Sequence, residues 1–277
     1  MTLDEVQFIF NRAAFGSINK SKLFLTFVVL ALCGILVVFF RGVSVDASPW
    51  LALSLTFLPI FICSGILLSL GVLLIRIYHD EIKDRHVSYK KTLGKSWEIV
   101  IGSSYFSVPI ILCYLLLWML LGIFVLLSKV PSVGEFFTVI LAFGPFLINL
   151  GSLTLILGSV AMLFYVAPVL ALKGFNRIQV SRILVTRFKN EIFSNLFLLC
   201  IAITPLLAGI GILIASAMLT GSLYYYTSDN PLHTVLIWFF TMIPFTAILS
   251  PMVVFFFNFA AESHVLVMKK QRAELRG

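Results

Sequence analysis

Apolar positions along this chain follow two rhythms. In the first they fill long stretches without a formal charge, at approximately residues 23–40, 50–75, 103–127, 138–165, 194–220 and 233–259. Each stretch suffices to cross a hydrocarbon core, which takes about 20 helical residues. In the second rhythm they recur every three or four residues between charges. Leu3, Val6, Ile9, Phe10 and Ala13 do so within 2–22, and Val180, Ile183, Leu184 and Phe188 within 173–191, where Gln179, Arg182, Thr186 and Lys189 fall on the other side. That spacing predicts amphipathic helices lying along a membrane surface. The pattern therefore predicts an all-α polytopic membrane protein, one integral membrane domain over 1–277 with six transmembrane helices and amphipathic connector helices.

Two uncharged runs, 136–172 and 192–228, are longer than one span requires, and Pro168 and the tyrosines Tyr224, Tyr225 and Tyr226 are expected to mark where those helices end. The apolar run at 23–40 exceeds the roughly 7 to 15 residues of a signal-peptide core, so a cleaved leader is not expected.

Charge orients the spans. Of the 20 Lys and Arg residues, 18 fall before the first span, between the second and third, between the fourth and fifth, or after the sixth. Arg41 and Lys129 are the two on the other side. By the positive-inside rule both termini face the cytoplasm. Trp50 and Tyr224–Tyr226 near one boundary, with Trp97, Tyr105 and Tyr165 near the other, match aromatic belts.

Composition narrows the function classes. With 60% hydrophobic and 12% charged residues, a mean hydropathy of +1.08 and no long polar segment, the 277-residue chain has no room for a separate soluble catalytic domain. The net charge of +8 is spread over loops beside the spans, so no nucleic-acid partner is expected. Cys33, Cys63, Cys113 and Cys200 lie in apolar stretches without a ligand spacing, which reads as packing and supports neither a disulfide framework nor a zinc site.

A shift of 86 residues lays Leu55, Phe57, Pro59, Ile62, Gly65 and Leu67 on Leu141, Phe143, Pro145, Ile148, Gly151 and Leu153. One reading is three parallel repeats, over 1–86, 87–172 and 173–277, each an amphipathic helix followed by two spans. The other is the ordinary recurrence of proline and glycine in membrane helices.

The connector Ser181-Arg182-Ile183-Leu184, followed by Arg187, Lys189 and Asn190 before a span, together with the six-span layout, resembles the bacterial integral membrane domain fused to some glycerophosphodiester phosphodiesterases, and its stand-alone relatives. The resemblance implies a six-span fold in a bacterial inner membrane. It implies no hydrolytic activity, because the phosphodiesterase domain has no counterpart in this sequence.

Chemistry is sparse. The span centres hold no ionisable residue, and Glu98, Lys129, Glu135, Glu262 and His264 are expected to snorkel to water at span ends. No paired-carboxylate, His-Glu-x-x-His or Gly-x-Ser-x-Gly arrangement occurs, so neither an enzyme nor a bound cofactor is expected. The candidate kink and polar positions are Pro59, Pro145, Asn149, Pro251 and Asn258, which read either as a ligand-facing polar spot or as interhelical hydrogen bonds. Lys83, Arg85, Lys90, Lys91, Lys95, Arg177, Arg182, Arg187 and Lys189 are candidates for contact with anionic lipid head groups or a protein partner, beyond fixing topology. The expectation is a non-enzymatic component of transporter-like or lipid-handling type, or else an accessory subunit of a larger membrane complex. A second copy of the chain is a further candidate partner.

Overall fold

A computed structural model describes residues 2–44, 47–83, 89–131, 134–174, 177–190, 192–224 and 231–274. The described residues are helical throughout apart from short turns. The chain begins with α1 (Leu3–Phe15), where Thr2 and Glu5 form a reciprocal capping box and Asp4 and Glu5 complement the helix dipole. Its apolar stripe buries Val6, Ile9 and Ala13. After a 3-10 turn at Gly16–Ile18, the Asn19 side chain caps α2 (Lys20–Val43). The helices that follow are α3 (Pro49–Ile82), α4 (Tyr89–Ser104), α5 (Val108–Leu127), α6 (Gly134–Leu141), α7 (Gly144–Lys173), α8 (Arg177–Asn190), α9 (Ile192–Tyr224) and α10 (Pro231–Glu274).

Six of these helices are long and apolar enough to span a membrane: α2, α3, the α4–α5 run, α7, α9 and α10. The fourth begins deeper than the sequence pattern suggests. Gly144 and Pro145 open α7 after a break that leaves α6 separate, because a first-turn proline has no amide to lose. Pro168 does not end that helix, which continues to Lys173. It stops at Gly174, whose φ of +80° suits only a residue without a Cβ and whose amide closes on the Leu170 carbonyl at 3.0 Å. Pro59, Pro205, Pro244 and Pro251 likewise lie inside helices.

An amphipathic helix followed by two long helices occurs three times in chain order, as α1–α2–α3, α4–α5–α7 and α8–α9–α10. Each amphipathic helix packs on the last helix of another set: α4 on α3, α8 on α7 and α1 on α10. The three last helices, α3, α7 and α10, touch one another and form the middle of the bundle, while α2, α5 and α9 are more exposed. Under the 86-residue shift the start of α3 falls on α6, so the helix that runs unbroken in one set is interrupted in the next.

Lipid tails are as apolar as leucine, so helices in a bilayer associate through close packing and internal hydrogen bonds. Both are present. Phe164 meets Phe256 and Phe259 with ring centroids 5.8 and 6.5 Å apart, and Phe10 of α1 meets Phe255 at 5.0 Å. On the α3–α4 contact, Ser69 donates to the Val100 carbonyl at 2.6 Å and Ser103 donates to Ser69 at 3.2 Å.

Helix length explains where the charges end up. At 1.5 Å per residue the 34, 30 and 44 residues of α3, α7 and α10 reach about 51, 45 and 66 Å, against a hydrocarbon core of about 30 Å. The surplus accommodates polar residues at one end of the bundle, where α1 and α8 wrap the ends of α10 and α7. The buried stretches 70–75, 163–171 and 253–264 lie at this end.

Candidate functional site

The wrapped end holds two buried polar clusters. In the first, Lys22 near the start of α2 has no exposed side-chain surface, pairs with Glu81 of α3, donates to the Gly16 carbonyl at 3.2 Å and lies 5.0 Å from the centre of the Tyr78 ring. Asn19 donates to the same Glu81 at 2.9 Å. The Tyr78 hydroxyl donates to Glu262 Oε1 of α10 at 2.8 Å, and Arg12 Nε of α1 lies 3.4 Å from that oxygen. Nearby, Asn258 donates to the Ala13 carbonyl at 3.4 Å. Helices α1, α2, α3 and α10 are thereby tied together by one connected set of charged and polar groups.

In the second cluster Arg187 of α8 is almost wholly buried. Its Nε donates to Asn195 Oδ1 at 2.7 Å, its Nη1 lies 3.5 Å from His264 Nδ1, and its guanidinium sits 4.9 Å from the centre of the Tyr165 ring. Asn195 returns a bond to the Arg187 carbonyl at 3.0 Å and accepts one from Tyr165 on its own carbonyl at 2.8 Å. The planar guanidinium suits this mixture of ring face and directed acceptors. Helix α8 is thus locked to α7, α9 and α10.

These clusters correct several expectations. Arg187 is not a head-group contact; it turns inward on the same face as Val180, Ile183 and Leu184, while Arg182 and Lys189 are exposed. Glu262 and His264 do not snorkel but are buried by the wrapping helices. Lys83 is exposed just beyond α3. Arg85 lies outside the described residues, as do the side chains of Lys90, Lys91 and Lys95 on α4 and Arg177 on α8.

The kink positions do not converge. Asn149 is exposed near the start of α7, whereas Asn258 is fully buried against α1 at the opposite end. Pro59 is buried in α3 at a contact filled from α5: the Tyr114 hydroxyl approaches the Ser54 carbonyl at 3.3 Å and its ring lies 4.9 Å from that of Phe61. Pro145 opens α7 rather than bending it, and Pro251 is half-buried within α10. Two cysteines distant in sequence meet across α2 and α3, with Cys63 Sγ 3.7 Å from the Cys33 carbonyl. Among the described residues no three His, Cys, Asp or Glu side chains gather as metal ligands.

A cleft of about 400 Å³ opens between α1 and the end of α10, lined by Asp4, Glu5, Phe8, Ile9, Arg12, Glu262, Val265, Leu266 and Lys269. It has apolar walls, three carboxylates and two cations. A smaller hollow of about 240 Å³ lies on another flank of α1, against Phe193, Ser194 and Phe197 of α9. No protein-family model, curated protein or solved structure matches the chain.

The cleft escaped sequence reading because its parts are far apart in the chain. Arg12 and Glu262 each carry an ordinary signal, a charge on an amphipathic segment and a charge just past a span. The three- and four-residue spacing of Val6, Ile9 and Ala13 gave α1 a buried face, but nothing in it names α10 as the partner. Glu5 is the group whose ionisation is most plainly set by local structure: the Thr2 backbone amide donates to it at 3.0 Å and holds its carboxyl below the usual range.

Proposed function

We propose that this integral membrane protein is a non-catalytic, lipid-handling component of a bacterial inner membrane, with both termini in the cytoplasm and its working site in the α1–α10 cleft. The observation that carries the reading is the combination of apolar walls from Phe8, Ile9, Val265 and Leu266 with both signs of charge, at the end where α10 outruns the hydrocarbon core. That combination matches the chemistry of a phospholipid at the point where acyl chain gives way to head group. The likeness of the 181–190 connector to the bacterial membrane domain described above is consistent with this reading.

The middle of the bundle favours handling at the surface over passage through the centre. Phe61, Leu68, Val72, Leu74, Phe164, Leu170, Val254 and Phe259 have no accessible surface, and Asn149 and Asn258 do not share a cavity. A second reading, an accessory subunit of a larger membrane complex, draws on the exposed apolar flanks of α5 and α9.

Lipid analysis of the protein extracted in native membrane discs tests the proposal. Val265→Trp fills the cleft from a partly exposed position, and should deplete the co-purifying phospholipid relative to the parent while leaving the protein monodisperse. Equal lipid content in the two preparations counts against the cleft, and a stoichiometric protein in both favours the accessory reading.

A further inference from the structure

The cleft has a polarity of its own. Glu262 is its innermost charge, with a side chain only 9% exposed. Its Oε1 is engaged by the Tyr78 hydroxyl and faces Arg12, whereas Oε2 has no hydrogen-bond partner among the described residues. Oε2 therefore keeps accessible surface and opens on the cleft, where the group that complements a carboxylate oxygen between apolar walls is a cation or a hydrogen-bond donor. Arg12 does not fill that role alone, since its contact is with Oε1 and its own side chain is 41% exposed. Asp4 and Glu5 add negative charge on the α1 side of the opening, while Arg12 and Lys269 supply positive charge.

We infer that the cleft is a selective site for a zwitterionic aminophospholipid, its primary ammonium donating to Glu262 Oε2 and its phosphate meeting Arg12 and Lys269. This deepens the lipid-handling reading and rests on it. The primary amine matters because it donates hydrogen bonds, which a quaternary ammonium cannot do, and a charge-assisted bond to a shielded carboxylate is among the stronger polar contacts. A purely anionic head group would satisfy the two cations but would set its charge against Asp4, Glu5 and Glu262. The acyl chains leave along the apolar walls that Phe8, Ile9, Val265 and Leu266 supply. At about 30 Å³ per water, the volume equals roughly a dozen waters, room for a head group but not for a whole lipid.

The test is native mass spectrometry of the full chain in detergent, titrated separately with dioleoyl phosphatidylethanolamine, phosphatidylcholine and phosphatidylglycerol. The parent should retain the ethanolamine lipid over the other two by about ten-fold or more, the factor one charge-assisted hydrogen bond supplies. Glu262→Gln keeps an acceptor for Tyr78 and should erase the preference over phosphatidylcholine, while Arg12→Gln should weaken both zwitterionic lipids together. A size-exclusion profile and melting curve identify any variant that misfolds, and Asp4→Asn, at an exposed position, then serves as the second charge-neutralising variant, expected to lower the ethanolamine preference. Equal retention of the choline and ethanolamine lipids by the parent, or a preference for phosphatidylglycerol, overturns the head-group assignment but leaves lipid handling standing. Retention of none of the three overturns both.

Discussion

Lys22 and Glu81 form an ion pair between α2 and α3, with the ammonium entirely enclosed and the carboxylate a quarter exposed. The Gly16 carbonyl and the Asn19 side-chain amide complete the surroundings, so the pair fastens the turn between α1 and α2 to the end of α3. Removing one member leaves the other without its counter-charge in a shielded place. Glu81→Leu or Lys22→Met should each lower stability by about 3 kcal/mol, the low end for a buried pair because Glu81 is partly solvated. The double replacement Lys22→Met with Glu81→Leu should recover much of that loss. Additive losses in thermal unfolding would mean that the two charges do not act as a unit.

The same logic separates the basic residues of α8. Arg187 is enclosed by Asn195, Tyr165 and His264, whereas Arg182 and Lys189 face outward. Arg187→Gln should lower the apparent melting temperature and the yield, at a cost of about 2–4 kcal/mol for breaking a buried charged network. Arg182→Gln with Lys189→Gln should change stability by less than about 1 kcal/mol. A melting series on the purified variants distinguishes them, and a silent Arg187→Gln would contradict the inward placement.

Which parts of this structure were legible follows from the range over which each signal acts. Span positions depend on local apolar length, and the amphipathic faces of α1 and α8 depend on a local period, so both could be read directly from Val6, Ile9 and Ala13 or from Val180, Ile183 and Leu184. Arg187 falls at the period of the buried face, seven residues after Val180, and its charge masked that register. Asn149 and Asn258 looked alike because each follows a proline in an apolar run; one opens outward from a helix start and the other is covered by α1. No local pattern distinguishes them, since the cover comes from a segment 245 positions away.

Close approach makes Gly16 a sensitive position. A Cβ there would come within 2.8 Å of Tyr78 Cε2 on α3 and 3.2 Å of Asn258 Nδ2 on α10. Gly16→Ala should therefore cost about 1–3 kcal/mol through overpacking, and Gly16→Val more. Because the strain falls on the seat of α1, limited trypsin digestion should cut at Arg12 faster in the variant. Unchanged cleavage and an unchanged melting curve would show that Tyr78 yields freely.

Acid should loosen the beginning of α1. The Glu5 carboxyl is held below its ordinary range chiefly by the Thr2 backbone amide, so its contribution to the capped helix is complete above the unfolded value and is lost as pH falls through the folded one. Hydrogen exchange of the α1 amides, corrected for intrinsic rates, should accelerate on acidification in the parent. Glu5→Gln should show a weaker acid response, with faster exchange already at neutral pH. An identical acid response in both proteins would assign the effect elsewhere.

The orientation of the bundle is open to a direct experiment. Helices α1 and α8, the end of α3 and the end of α10 share one end, and in the sequence 18 of the 20 Lys and Arg residues fall in the segments that precede, join or follow the spans on that side. At the opposite end Arg41 lies 4.5 Å from the centre of the Trp238 ring, a pairing suited to an interface where an aromatic belt meets water. Insertion machinery retains short basic loops on the cytoplasmic side, so the wrapped end should face the cytoplasm. A cysteine at Ser48, exposed just before α3, should react with an impermeant thiol reagent added to intact cells, and one at Ser181, exposed on α8, should react only after permeabilisation. The background must lack Cys33, Cys63, Cys113 and Cys200, two of which are exposed. Labelling at Ser181 in intact cells, with Ser48 protected, would reverse the orientation and place the α1–α10 cleft at the outer surface.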